Sequence, residues 1–137
     1  MVLEPKEAQP LIEELMAWYQ VQAFPMYQPE ETIATSVANS TLCHVSVTKW
    51  CMITGENSGS DMKKKRCGGL TADVTGKVVE MLNKHYAQTF VREHKPSEIV
   101  DNCKACHGKE PIHVTGKEDC MNCHTEDYLT FPHPVKE

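Results

Sequence analysis

The chain has 137 residues, of which 40% are hydrophobic and 24% are charged, and its formal net charge at pH 7 is −5. This length suits one ordinary globular domain and is too short for two. An acidic composition argues against nucleic acid as a partner. No apolar run approaches the about 18 residues of a membrane-spanning helix, so no membrane span is expected.

The amino-terminal part is predicted to begin with an amphipathic helix over residues 10–22. The apolar side chains of this segment recur at helical spacing and fall on one face. They are Leu11, Leu15, Trp18 and Tyr19. Two prolines then predict an extended connector over residues 25–29. Residues 30–40 fit either a short helix or irregular structure.

Residues 39–51 bring two cysteines and a histidine close to an aromatic side chain, namely Cys43, His44, Trp50 and Cys51. On a helix the Cα atoms of the two cysteines would lie about 12 Å apart, and on a strand they would lie farther apart still. A disulfide needs a Cα separation below about 7 Å. The two thiols are therefore not expected to form a disulfide within one regular element.

Residues 55–60 are predicted to form a loop, and Asp61 is predicted to cap the turn that follows it. This turn carries four successive cations, Lys63, Lys64, Lys65 and Arg66. Such a run is usually a solvated face, and the alternative is a docking patch for an anionic surface.

Gly68 and Gly69 are expected to interrupt the helix that follows the basic turn. The helical period then resumes to about residue 89, because apolar side chains recur every three or four positions. These residues are Leu70, Val74, Val78, Met81 and Leu82, with His85 on the same face.

The pattern C-x-x-C-H occurs twice near the end of the chain. The first copy is Cys103, Cys106 and His107, and the second is Cys120, Cys123 and His124. This pattern is typical of covalent c-type haem attachment. Two thiols at this spacing reach both vinyl groups of one porphyrin, and the adjoining histidine binds the iron. We therefore expect two covalently bound haems, with His107 and His124 as proximal ligands.

A structural zinc site is the competing interpretation of these four cysteines. Thirteen residues separate Cys106 from Cys120, which is shorter than the about 15 to 20 residues of a zinc ribbon. A zinc site with four cysteine ligands also has no use for a histidine after both pairs. The pattern therefore favours haem over a zinc-ribbon binding module.

Five further histidines are candidates for the distal positions of the two irons, and two of them are favoured. His113 stands seven positions before Cys120, and His133 is held between Pro132 and Pro134, which restrict the backbone around it. His94 and His85 are competitors, the latter more typical of a packed core histidine. Full ligation by histidine predicts two low-spin haems.

The predicted fold class is mainly α. A small helical domain over residues 1–96, with Cys43, Cys51 and Cys67, precedes an irregular, haem-wrapped dihaem segment over residues 97–137. The second segment has few large apolar side chains, so we expect it to fold around porphyrin and not alone. A second subunit is expected to cover the remaining haem surface, which predicts a homodimer.

Residues 39–51 and 66–74, followed by the paired C-x-x-C-H tail, resemble the split-Soret cytochromes c of sulfate-reducing bacteria. The resemblance covers the chain from about residue 11 to its end. It implies a periplasmic electron carrier, a homodimer in which each subunit holds two closely stacked haems, and a separate iron–sulfur centre.

Cys43, Cys51 and Cys67 are the candidate ligands of such an iron–sulfur centre, with His44 as a fourth. The chain lacks the cysteine- and glycine-rich amino-terminal region of the family, so these three thiols are an incomplete set of four. The alternative is three free, buried thiols, which are common in protein cores.

Two closely spaced haems favour storage or relay of electrons. The alternative is a haem enzyme whose open iron position acts on a peroxide or a nitrogen oxide. A redox sensor is a third class, and no signalling or DNA-binding motif accompanies the haem segment. Residues 97–137 hold eight acidic side chains against four lysines, which suits a redox partner with a basic patch.

Attachment of haem c takes place outside the cytoplasmic membrane, so a periplasmic location is expected. The first twenty residues lack the charged-then-apolar pattern of a secretion signal. We therefore expect the chain to be a processed or incomplete part of a longer protein.

Overall fold

A computed structural model describes residues 3–28 and 31–94, together with Cys103, Ala105 and His107. From residue 3 to residue 94 the element order is one helix, two short strands and two helices, so the described part of the chain is mainly helical, as predicted. Six predicted site residues lie outside the described residues: Cys106, His113, Cys120, Cys123, His124 and His133. The predicted domain boundary and the irregular haem-wrapped segment also lie there and stay predictions.

Helix α1 spans Pro5–Val21 and begins earlier than the sequence pattern predicts. Proline is preorganised for the first helical position, and the Glu7 carboxylate accepts a 3.1 Å hydrogen bond from the Glu4 amide. Pro10 lies inside the helix and not at its start. The predicted apolar face is confirmed, with three buried side chains and one that packs against the core: Leu11, Trp18, Tyr19 and Leu15.

Two short strands follow α1. Strand β1 (Ala23–Phe24) pairs antiparallel with β2 (Ser36–Val37), and Phe24 lies opposite Ser36. The described part of residues 30–40 contains no helix, so the short-helix alternative is wrong; apart from β2 this part is irregular. The Gln28 side chain binds the backbone of Ile33, which lies just before β2. Its amide oxygen accepts a 2.8 Å hydrogen bond from the Ile33 N–H, and its amide nitrogen donates a 3.0 Å hydrogen bond to the Ile33 carbonyl.

Helix α2 spans Cys43–Thr54 and ends at Gly55, whose φ of 76° lies in the left-handed region that favours glycine. Trp50 is fully buried, and its indole N–H donates a 2.7 Å hydrogen bond to the Ala34 carbonyl. Cys43 and Cys51 lie on this one helix and both are free thiols. The prediction that they do not form a disulfide is confirmed.

Helix α3 spans Asp61–Tyr86 and corrects three expectations. Its N-cap is Ser60 and not Asp61, because the Ser60 hydroxyl accepts a 3.1 Å hydrogen bond from the Lys63 amide. The helix ends at Tyr86, before residue 89. It also continues through Gly68 and Gly69 without interruption.

Gly69 is required by packing. A Cβ atom at this position would lie 2.6 Å from the Tyr27 carbonyl oxygen and 2.9 Å from Pro25 Cβ. The missing side chain therefore lets the connector after β1 rest directly on α3, and this close approach explains a glycine that the sequence pattern interprets as a helix breaker.

The core lies between α1, the strand pair and α3. Leu70 and Val74 of α3 pack against the cluster formed by Trp18, Tyr19, Phe24 and Ala38. The Asp73 carboxylate fixes the connector, because it accepts hydrogen bonds from the Met26 and Tyr27 amides at 2.6 and 2.8 Å. Within the described part of the chain, no helix is both long and apolar enough to cross a membrane.

Candidate redox-cofactor site

Part of the first haem motif lies within the described residues. The backbone at Cys103, Ala105 and His107 is helical, and Cys103 and His107 are both half-buried. Helical residues four positions apart lie on the same side of the chain. Cys103 is a free thiol, so a thiol and an imidazole lie on the same side of one short helical segment. A thiol can attach the porphyrin covalently and an imidazole can bind its iron, so these two residues fit a c-type haem.

The three cysteines outside the haem motifs lie on α2 and α3. Cys43 is exposed, whereas Cys51 and Cys67 are partly buried, and all three thiols are free. They do not form a set of three ligand atoms within 4.8 Å of one another in the described structure. A separation of this size is expected for the ligands of a single ion. The thiolates of an iron–sulfur cluster bind different irons and can therefore lie farther apart. His44 is exposed beside Cys43.

The basic run at the start of α3 divides into exposed and buried cations. Lys64 forms a 2.7 Å ion pair with Asp61, and Lys65 is paired with Glu31. Arg66, in contrast, is fully buried. The interpretation of the run as one solvated face or docking patch is therefore wrong for Arg66.

Arg66 is a buried cation with incomplete hydrogen bonding. Its Nη2 donates to the Ser46 hydroxyl at 2.6 Å, while its Nε and Nη1 have no hydrogen-bond partner among the described residues. The burial of Arg66 can be predicted from the sequence. Arg66, Leu70 and Val74 are each four residues apart, so Arg66 falls on the apolar face of α3. Arginine at such a position keeps its charge inside the protein.

The Glu14 carboxylate accepts three hydrogen bonds from His94 and its neighbour Glu93. One carboxylate oxygen of Glu14 accepts a 2.8 Å hydrogen bond from His94 Nδ1. The other oxygen accepts from the backbone amides of Glu93 and His94 at 3.1 and 2.8 Å. Glu14 is 2% exposed, whereas the His94 side chain is 31% exposed. The imidazole is thus bound to a buried carboxylate, while part of the His94 side chain remains exposed.

The pKa of Glu14 is lowered from the ordinary value of a glutamate. Burial by itself raises this pKa, but the hydrogen bonds from the His94 side chain and backbone, the His94 charge and the Glu93 amide act in the opposite direction and prevail. Glu14 is therefore ionised at neutral pH and can only accept hydrogen bonds. It follows that His94 Nδ1 carries the proton.

The role of Glu14 is not among the features predicted from the sequence. The signal was present, because Glu14 occupies the apolar face of α1 between Leu11 and Trp18, where a carboxylate needs a partner. His85, a competitor for iron ligation, is partly buried on α3, and its ring lies edge-on to Tyr86 at 5.4 Å. Among the described residues, no carboxylate forms a hydrogen bond or ion pair with the ring of His85 or His44.

No family model matches the chain. Split-Soret cytochrome c from Desulfovibrio desulfuricans is 32% identical to it in an alignment of 136 positions, gaps included, which covers 88% of this chain and 47% of that protein. The solved structure of split-Soret cytochrome c from the same organism, described as containing a novel iron centre, aligns with a TM-score of 0.77 and 30% identity. That alignment covers 96% of this chain and 62% of the solved chain.

The chain resembles the c-type haem cytochromes both in these similarities and in its C-x-x-C-H motifs. More particularly, it is a homologue of split-Soret cytochrome c, as the sequence resemblance indicated. The chain spans about half the length of the curated relative that it matches.

Proposed function

We propose that this chain is a dihaem electron carrier that stores or relays electrons. The observation that carries this proposal is the duplicated C-x-x-C-H motif in a homologue of a c-type cytochrome. Cys103 and Cys106 hold one haem and Cys120 and Cys123 the other, with His107 and His124 as proximal ligands. A haem bound in this way supplies a one-electron couple.

Histidine ligation on both faces of each iron is the second part of the proposal. Of the candidate distal ligands, His113 and His133 were favoured by spacing and flanking prolines, with His94 and His85 as competitors. A closed sixth position excludes small molecules from the iron, so it favours an electron carrier over an enzyme that acts on peroxide or a nitrogen oxide.

An absorption spectrum of the purified protein tests both parts. We expect haem that stays on the protein after acid-acetone extraction, two haems per chain, low-spin spectra in both oxidation states and no change when carbon monoxide is added to the reduced protein. Carbon monoxide binding by the native protein would favour the enzyme. A colourless, correctly matured protein would contradict haem attachment.

We also propose a separate iron centre held by Cys43, Cys51 and Cys67, with His44 as a fourth candidate ligand. Three observations support it: all three thiols are free, two of them are partly buried, and the solved relative is described as containing a novel iron centre. More than two irons per chain in the purified protein is the expected result. An iron content equal to the haem content would contradict this centre.

The proposed setting is a periplasmic homodimer that exchanges electrons with a partner through complementary charge. The excess of acidic side chains in residues 97–137 suits a basic surface on the redox partner. Light scattering at micromolar concentration tests the dimer, and a monomer with an unchanged haem spectrum would contradict it. Release of the native protein from cells by osmotic shock tests the location.

A further inference from the structure

A groove lies between the connector after β1 and one face of α3. Its volume is about 560 Å³, within the range of about 300–1,000 Å³ that is typical of sites for small molecules. Met26 and Tyr27 of the connector line it together with Trp18 of α1. The structure describes each of its lining residues, and none of them belongs to a haem motif.

The α3 side of the groove is kept open by small residues. Ala72 and Gly76 lie one turn apart and therefore on the same face of the helix. A Cβ atom at Gly76 would meet nothing within 4 Å, whereas one at Gly69 would meet the connector. Glycine is unfavourable inside a helix, and at Gly76 no close backbone contact requires it. Its missing side chain leaves the space above α3 free for a ligand.

The Lys77 ammonium group is a weakly paired cation at this groove. Its side chain is only 16% exposed, and its Nζ lies 5.6 Å from the centre of the Trp18 ring, within the range of a cation–π contact. Its hydrogen bond to Glu80 is long, at 3.4 Å, because Glu80 binds Lys84 more closely, at 2.5 Å. An ammonium group has three N–H donors, so Lys77 keeps donor capacity toward the groove.

The two carboxylates that line the groove are already engaged. Asp73 accepts hydrogen bonds of 2.6 and 2.8 Å from two backbone amides of the connector. Glu80 lies between two lysines, and its pKa is lowered chiefly by the hydrogen bond from Lys84, with the Lys77 charge acting in the same direction. Two ammonium groups against one carboxylate leave positive charge in excess at this end. The groove therefore suits an anion better than a cation.

We propose that this groove binds a small aromatic carboxylate. The ligand carboxylate accepts a hydrogen bond from Lys77 Nζ, and the ligand ring packs against the Tyr27 and Met26 side chains, which are 55% and 51% exposed. Aromatic rings pair favourably with each other and with the thioether of methionine. An exposed aromatic surface beside a weakly paired cation matches the two parts of such a ligand. This site goes beyond the proposed electron transfer and does not depend on haem.

Calorimetric titration of the full, haem-loaded protein with 2-naphthoate tests the class of ligand. We expect one molecule bound per chain. The neutral analogue 2-naphthalenemethanol keeps the ring system and lacks the charge, so it should bind at least about tenfold more weakly. Failure of 2-naphthoate to bind, or equal affinities for the two compounds, would overturn the proposal.

Two glycine variants test the location of the ligand. Gly76→Leu places a side chain in the groove, and Gly68→Leu adds the same side chain at an exposed position of α3 outside it. A Cβ atom meets nothing within 4 Å at either position, so both variants should keep the native circular dichroism. Gly76→Leu should abolish binding of 2-naphthoate, and Gly68→Leu should bind it as the native chain does. Equal binding by the two variants would place the ligand elsewhere and refute the site.

Lys77→Met tests the charged contact, with Lys64→Met as the control. Lys64 lies on the same helix, and its side chain is 66% exposed. Methionine keeps an apolar side chain beside Trp18 and removes the ammonium group. The affinity of Lys77→Met for 2-naphthoate should fall at least about tenfold, while its affinity for 2-naphthalenemethanol should not change. An equal loss in Lys64→Met would indicate a long-range charge effect and would contradict a direct contact with Lys77.

Discussion

Arg66 and Ser46 meet in the interior of the protein, where the guanidinium Nη2 donates a 2.6 Å hydrogen bond to the hydroxyl oxygen. Both side chains are fully buried. The bond joins α3 to α2, and it satisfies one of the two terminal guanidinium nitrogens. Because burial of a charge is tolerated only with compensating hydrogen bonds, this one contact is important for the packing of the two helices.

Ser46→Ala should therefore destabilise the protein. The substitution leaves the Arg66 guanidinium without a hydrogen-bond partner among the described residues, and an unsatisfied buried group costs about 1–3 kcal/mol. Urea unfolding of the haem-loaded protein, followed by far-ultraviolet circular dichroism, measures the loss. Thr48→Ala, at an exposed position of the same helix, is the control and should change stability by less than about 0.5 kcal/mol. Equal stabilities of the two variants would refute the role of Ser46.

Gly69→Ala and Gly68→Ala should have opposite effects although the two residues are adjacent in α3. A methyl group at Gly69 would lie 2.6 Å from the Tyr27 carbonyl oxygen, whereas nothing lies within 4 Å of a methyl group at Gly68. Overpacking typically costs about 1–3 kcal/mol. Alanine in place of an open helical glycine gains about 0.5–1 kcal/mol.

Thermal unfolding of the two glycine variants is the direct comparison. We expect a lower midpoint for Gly69→Ala and a higher midpoint for Gly68→Ala than for the native chain. Stabilisation by both substitutions would mean that the connector does not rest on Gly69, and destabilisation by both would mean that Gly68 is also enclosed.

Local features of the sequence predict much of this fold. The apolar face of α1 and the loop after α2 follow from residue spacing and from turn residues alone. The haem attachment residues are predictable for the same reason, since C-x-x-C-H is a contiguous motif. In each case the signal lies within a few neighbouring residues.

Contacts between distant residues explain the features that the sequence did not predict. Gly68 and Gly69 predict a break in α3, but the helix continues because the connector packs on Gly69. The contact between Glu14 and His94 spans 80 positions. A polar residue on an apolar helix face indicates that a partner exists, as for Glu14 and Arg66, and only the folded structure identifies it.

Glu80→Gln should lower stability slightly at neutral pH and not in acid. The hydrogen bond from Lys84, at 2.5 Å, lowers the pKa of Glu80 from its ordinary value. A lowered carboxyl pKa stabilises the folded state above the unfolded pKa, and this contribution is lost as the pH falls through the folded pKa. Both side chains are more than 40% exposed, so the effect is small and is screened by salt.

Urea titrations at neutral and acidic pH, at low and high salt, test the Glu80 prediction. The difference in unfolding free energy between the native chain and Glu80→Gln should disappear in acid and shrink at high salt. A difference that persists in acid would show that Glu80 contributes through packing and not through its charge.

The final prediction concerns the number of haems on each chain. Each motif offers two thiols to one porphyrin, and attachment that requires both thiols fails when one of them is removed, so Cys106→Ala or Cys123→Ala empties its own site and leaves the other site intact. We expect the covalently bound haem to fall from two to one per chain in either variant, measured by the pyridine haemochrome spectrum after acid-acetone extraction.

Cys51→Ala is the matched control for these haem counts, because Cys51 is a partly buried thiol outside both motifs. It should keep two covalent haems whether or not it also lowers the non-haem iron content. Haem loss in the Cys106→Ala and Cys123→Ala variants but not in Cys51→Ala would assign the two attachment sites separately. Retention of two covalent haems by both motif variants would contradict the assignment, since a zinc ribbon or a differently attached cofactor would then have to explain the paired cysteines.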